Sequence, residues 1–189
     1  MAIHLTGNDS ADQLLTDNPF ALLVGMLLDQ QVPMETAFSG PAKLLERIGA
    51  VDAAVFAKYD PDEFVKVFQI TPAVHRFPGA MAARVQSLAE IVQNEWNGDA
   101  AAIWTSGSPD GKTVLARLKK LPGFGEQKAA IFLALLGKQC GLKAEGWREA
   151  SGQFGKEGTF VSVADIRDSE SLAKVREHKK AMKAAAKKG

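Results

Sequence analysis

The twenty residues Leu118–Gly137, LKKLPGFGEQKAAIFLALLG, constrain this chain more than any other stretch. Helix formers run up to Leu121 and resume at Glu126, with Pro122, Gly123, Phe124 and Gly125 between them. Pro122 lacks an N–H and restricts the residue before it, so a helix ends there. Gly123 and Gly125 are expected to take backbone angles that a Cβ forbids. Phe124 is expected to plug into the core and pin the turn, with Leu118 and Leu121 facing the core from the first helix. Ala129 and Ala130 are small enough for the second helix to come close. The product is a tight helical hairpin that presents backbone N–H groups at a helix start, with Lys119, Lys120 and Lys128 around it. Such an end is an anion site, and a nucleic-acid phosphate fits it without any base being read. The plain alternative is a helix–turn–helix corner that binds nothing.

The rest of the chain reads as helix as well. Phe20–Leu28 is apolar all round, so it is a buried helix, with Asn18 as N-cap and Pro19 as its first residue. A second helix is expected to open at Pro41 and stop at Gly49. In YDPDEFVKVFQI, Asp60 caps, Pro61 opens and Glu63 is placed for a capping box. Met81, Val85, Leu88, Ile91 and Val92 recur at helical spacing in the next element. A short helix ends near Trp104, Ser106–Gly111 is a loop, and Lys112 onward leads into the hairpin. GTFVSV is the one β-like run; a single run makes no sheet, so it is read as extended loop. A last helix, capped by Asp168 or Ser169, fades into a basic tail.

Charge sharpens the picture. The net charge is +1, but from Lys174 onward there are six Lys and one Arg against one Glu, a local +6, which leaves −5 for the residues before it. Lys112–Lys128 carries a local +4. Two basic zones on a neutral protein suit a polyanion bound at a defined place, although Lys-rich helices are also ordinary solvated surface. No run of about 18 apolar residues reads as a membrane span. The first residues lack a basic-then-apolar leader pattern, and the single cysteine, Cys140, fits a reducing, cytoplasmic setting. One thiol cannot hold an iron–sulfur cluster, which takes about four, so no cluster is expected. His4 and His178 lie too far from other ligands to suggest zinc, so no metal is expected.

Leu118, Leu121-Pro122-Gly123-Phe124-Gly125 and Ala129 resemble the helix-hairpin-helix motif of proteins that bind the DNA backbone. Asn18–Ala37, NPFALLVGMLLDQQVPMETA, resembles the early helix of base-excision-repair DNA glycosylases of the endonuclease III type, where an apolar helix ends in a Gln pair near DNA. FPGAMAARVQSLAEIV falls where that superfamily, HhH-GPD, has a helix between the two motifs. The likeness runs from about Asn18 to Gly137. It implies an all-α fold of two helical lobes with a central cleft: a six-helix lobe of about 17–137, and a second lobe of about 1–16 plus 138–189, together a single domain. It also implies double-stranded DNA as partner, bound by a monomer across the cleft, with the target base flipped out of the stack.

The resemblance assigns roles residue by residue. Bifunctional members carry a nucleophilic Lys two residues after the second Gly; here that position is Gln127, and Lys128 comes one residue later, turned about 100° around the helix. Lyase chemistry is therefore not expected, and Lys128 is assigned to phosphate. The family's essential Asp follows the hairpin at the start of a helix. Asp165 in FVSVADIRDSES is the choice and Asp168 the second, with helix capping as the other reading of Asp168. A segment, 138–158, intervenes. Gln30 and Gln31 are candidates to fill the gap left by a flipped base, or simply a polar helix end. His75 and Arg76 read as a surface pair with phosphate contact as the alternative. Trp147 either stacks on an extruded base or packs the second lobe. Cys140 reads as a small core or semi-exposed residue. The function so implied is hydrolysis of the N-glycosidic bond of a damaged or mispaired base by a nucleoid-associated protein. The rivals are a DNA-binding protein without chemistry and an RNA- or protein-binding helical module.

Overall fold

A computed structural model describes residues 2–188. Among them every regular element is helical. The α-helices are α1 (Asp9–Asp17), α2 (Pro19–Leu28), α3 (Met34–Ile48), α4 (Ala53–Lys58), α5 (Pro61–Gln69), α6 (Pro78–Glu95), α7 (Ala102–Thr105), α8 (Gly111–Lys119), α9 (Glu126–Gln139), α10 (Trp147–Ala150) and α11 (Ser169–Lys188). Two 3-10 turns, Gly152–Gly155 and Val163–Asp165, lie between α10 and α11. No helix among the described residues is long and apolar enough to cross a membrane.

Helix α2 is the central element because it has no polar face to expose: Phe20 through Leu28 are all buried. Asn18 starts it, its side-chain oxygen accepting from the Ala21 N–H at 3.1 Å. The cap contributes about 1 kcal/mol, whereas each fully buried Leu contributes about 1.5–3, so burial holds the helix and the cap fixes where it begins. Helix α3 lies close because Gly25 leaves room for Phe38; a Cβ at Gly25 would stand 2.7 Å from the Phe38 ring. This contact corrects the expected start of α3. The helix begins at Met34 and Pro41 lies inside it. Burial of Met34, Ala37 and Phe38 outweighs the single backbone bond that Pro41 removes.

Helix α1, absent from the expectation, packs on α2 and α3. Helices α4, α5 and α6 form the next group; edge-on rings link α2 to α4 through Phe20–Phe56 at 5.7 Å and α4 to α5 through Phe56–Phe64 at 5.1 Å. Glu63 does not complete a capping box and pairs with Lys66 instead. Helices α8 and α9 pack on each other, and α10 and both 3-10 turns pack on α9. The GTFVSV run is loop as expected through Ser162, and its last residue, Val163, opens the second 3-10 turn. Val175 is fully buried while Met182 is 59% exposed, so α11 is anchored by its first turns and its later residues are exposed.

Candidate functional site

The hairpin forms as its residues dictate. Leu121 N–H closes on Leu118 O and Phe124 N–H on Leu121 O. Leu121 and Phe124 are buried and anchor the turn from inside, Phe124 meeting Phe132 edge-on at 5.9 Å. Gly123 has φ +77°, which favours glycine. Gly125 corrects the expectation: its φ −75° and ψ −178° suit any residue, and nothing lies within 4 Å of where its Cβ would be. Glycine there answers no demand of the fold, and the open space is directed outward. No side chain caps α9 at Gly125, so the helix start keeps free N–H groups. Lys119 and Lys120 are exposed beside it, and Glu126 pairs loosely with Lys119 at 3.9 Å. Arg117 is turned inward, donating to Ile103 O and Ser106 O and lying over the Trp96 ring.

Lys128 is also turned inward. Its Nζ donates to Met26 O at 2.9 Å, Leu27 O at 3.2 Å and Asp29 O at 3.2 Å. All three N–H bonds of the ammonium are thus occupied by the C-terminal carbonyls of α2, so the phosphate contact expected of Lys128 has no donor to use. Burial lowers its pKa, and the nearby Asp29 carboxylate works against that shift.

Beside the hairpin opens a pocket of about 610 Å³. Its lining comes from the end of α2, the start of α9, the two 3-10 turns and α11, and includes Asp29, Gln31, Gln127, Lys128, His178 and Lys179. Gln30 also lines it, fixed on both sides: its side-chain nitrogen donates to Leu27 O, and its side-chain oxygen accepts from Arg84 at 2.8 Å. Gln31 is exposed with φ +59°, an uncommon conformation for a residue with a Cβ. His75 is no surface residue: it is 1% exposed. Its Nδ1 accepts from the Phe77 N–H, which leaves Nε2–H to donate to Gln30 O at 2.9 Å. Burial holds this imidazole below its ordinary pKa, in keeping with the neutral tautomer. Arg76 remains exposed and lies over the Phe77 ring.

Asp165 lies elsewhere. Its carboxylate meets Lys138 Nζ at 2.5 Å, with the two side chains 4% and 6% exposed. It also accepts the Val161 N–H at 2.8 Å. It borders a separate recess with Lys138, Arg148 and Lys174, whereas its neighbours Ser162 and Val163 reach the hairpin pocket. Asp168 caps α11, accepting the Ser171 N–H at 2.7 Å, and those hydrogen bonds hold its carboxyl below the usual range. Trp147 does not reach the pocket; its ring fills the space over Gly137, and its backbone stands against Gly111. Cys140 is exposed at the end of α9. Among the described residues no three His, Cys, Asp or Glu side chains gather as a metal site would require.

Asp29 and Arg84 were not among the residues singled out from sequence, whereas the α11 lysines were read there as the basic tail. Asp29 had a readable signal: an acid at a helix C-terminus opposes the macrodipole, and such a placement needs a reason. Burial raises its pKa, with Lys179 and Lys128 acting in the opposite direction. Residues 24–188 match the family model described as HhH-GPD superfamily base excision DNA repair protein. No curated protein matches the chain.

Proposed function

The chain belongs to the HhH-GPD superfamily of base excision DNA repair proteins, and from that premise we propose that it is a monofunctional DNA glycosylase. It binds duplex DNA through the α8–α9 hairpin and hydrolyses the N-glycosidic bond of a damaged or mispaired base. The finer reading rests on the state of Lys128. An ammonium that gives all three N–H bonds to carbonyls has no lone pair to attack a sugar. Gln127, at the position where bifunctional members carry their nucleophile, has no amine to offer.

On this reading the flipped base enters the pocket beside α9, whose volume of about 610 Å³ lies in the usual range for small-molecule sites. Water supplies the nucleophile: its oxygen bonds to C1′, and the C1′–N electron pair leaves with the base, which takes up a proton. The uncapped start of α9, with Lys119 and Lys120, receives phosphates. The protein acts as a monomer without cofactor. The rival, a DNA-binding protein without chemistry, retains the hairpin but gives the pocket no task. The test is a set of duplexes, each with one lesion, incubated with the protein and then treated with alkali to cut abasic sites. Base release from at least one lesion, without a borohydride-trapped adduct, is the expected result. Binding without release from any duplex supports the rival.

A further inference from the structure

Loss of a base from deoxyribose passes through a sugar with oxocarbenium character, and a carboxylate near C1′ stabilises it. Among the described residues lining the hairpin pocket, Asp29 is the one acid. Resting on the glycosylase reading above, we infer that Asp29 is the catalytic carboxylate of this chain.

The backbone of Asp29 is fixed from several sides. Its φ of −74° and ψ of 70° form the centre of a tight turn, closed by the Gln30 N–H on Leu28 O at 2.7 Å. Its own N–H is bonded to Met26 O, and its carbonyl accepts from Lys128 Nζ at 3.2 Å. Next to it, His75 holds the Gln30 carbonyl and Arg84 the Gln30 side chain. The carboxylate, in contrast, takes no hydrogen bond from any described residue. A main chain held this firmly around a free carboxylate is a poor arrangement for stability and a good one for a reacting group.

Asp29 also lies where the pocket meets a second groove of about 620 Å³, lined by Lys179, Lys180, Lys183 and Lys187 of α11, with Arg176 held by Glu35 at its edge. Phosphates bound along those cations bring the sugar between them past this carboxylate. Asp165 lacks such access, since Lys138 and the Val161 N–H already hold it. In the step, water oxygen bonds to C1′ as the C1′–N bond breaks. Asp29 accepts the proton that water loses and later releases it to solvent. The base leaves with the electron pair and takes one proton, so one water is consumed in all.

The experiment compares wild type, Asp29→Asn, Asp29→Glu and Asp165→Asn by single-turnover base release, duplex affinity and melting temperature. Asp29→Asn is expected to lose about a hundredfold or more in release while keeping duplex affinity. Its melting temperature should hold or rise, because burial makes the charged form costly and Asn removes that cost. Asp29→Glu should regain part of the release. An active wild type with an equally active Asp29→Asn overturns the assignment and leaves the glycosylase reading standing. Loss of release together with a lower melting temperature and no recovery in Asp29→Glu assigns Asp29 a structural role and overturns it too. A wild type that releases no base from any lesion overturns the reading and the assignment together.

Discussion

Replacing Asp165 by Asn tests whether this residue holds the fold rather than serves the pocket. The Asp165 and Lys138 side chains are 4% and 6% exposed and 2.5 Å apart. Asn removes the charge and leaves the Lys138 ammonium buried without its partner. It also leaves one acceptor oxygen where Lys138 and the Val161 N–H each need one. Breaking one side of a buried pair costs about 3–5 kcal/mol. For a chain of this length that is a drop of roughly 6–20 °C in melting temperature, read by far-ultraviolet circular dichroism. A double change, Asp165→Leu with Lys138→Met, should recover most of the loss, because apolar replacement of a whole buried pair is often neutral. A shift of less than about 2 °C for Asp165→Asn would refute the reasoning. So would normal stability with base release abolished, which would restore Asp165 to the chemistry.

The two hairpin glycines should separate fold from binding. Gly123→Ala meets φ +77° and should cost about 1–2 kcal/mol of stability, whereas Gly125→Ala should leave the melting temperature unchanged and weaken duplex binding by fluorescence anisotropy. Equal behaviour of the two would remove the outward-facing role of Gly125. Glu126→Gln, which takes an acid from the first turn of α9, should tighten duplex binding at low salt, and unchanged affinity would place the phosphate elsewhere. Replacing Lys180, Lys183 and Lys187 by Gln should flatten the plot of log affinity against log salt by about 0.9 per lost phosphate contact and leave the melting temperature alone. A steady slope would make this end of α11 mere surface.

The sequence carried the fold wherever one residue pattern allowed one outcome. Phe20–Leu28 has no polar face, so it had to be central, and Asn18-Pro19 marked its start. The hairpin was legible for the same reason. The start of α3 was not, because Pro41 reads as a helix opener until Phe38 is seen filling the space over Gly25. The direction of Lys128 was half legible: rotation about the helix turned it from the nucleophile's place, but its acceptors include a carbonyl 102 positions earlier. Local charge counts misled for the same cause, since Arg117 and Lys128 are both held inside the protein. Asp165 looked like a delivered carboxylate because an apolar run precedes it, yet its partner Lys138 sits 27 positions away. Asp29 stood in plain view beside the Gln pair, but only the fold shows that α11 reaches across to enclose it.

Single-turnover release of a free base from a set of single-lesion duplexes, with alkali to reveal abasic sites and borohydride to trap any covalent adduct, tests the central claim most directly. Alkali-labile product from at least one lesion, with no trapped adduct, is the expected result. Tight binding of every duplex without product, or a trapped adduct lost in Lys128→Ala, would contradict it.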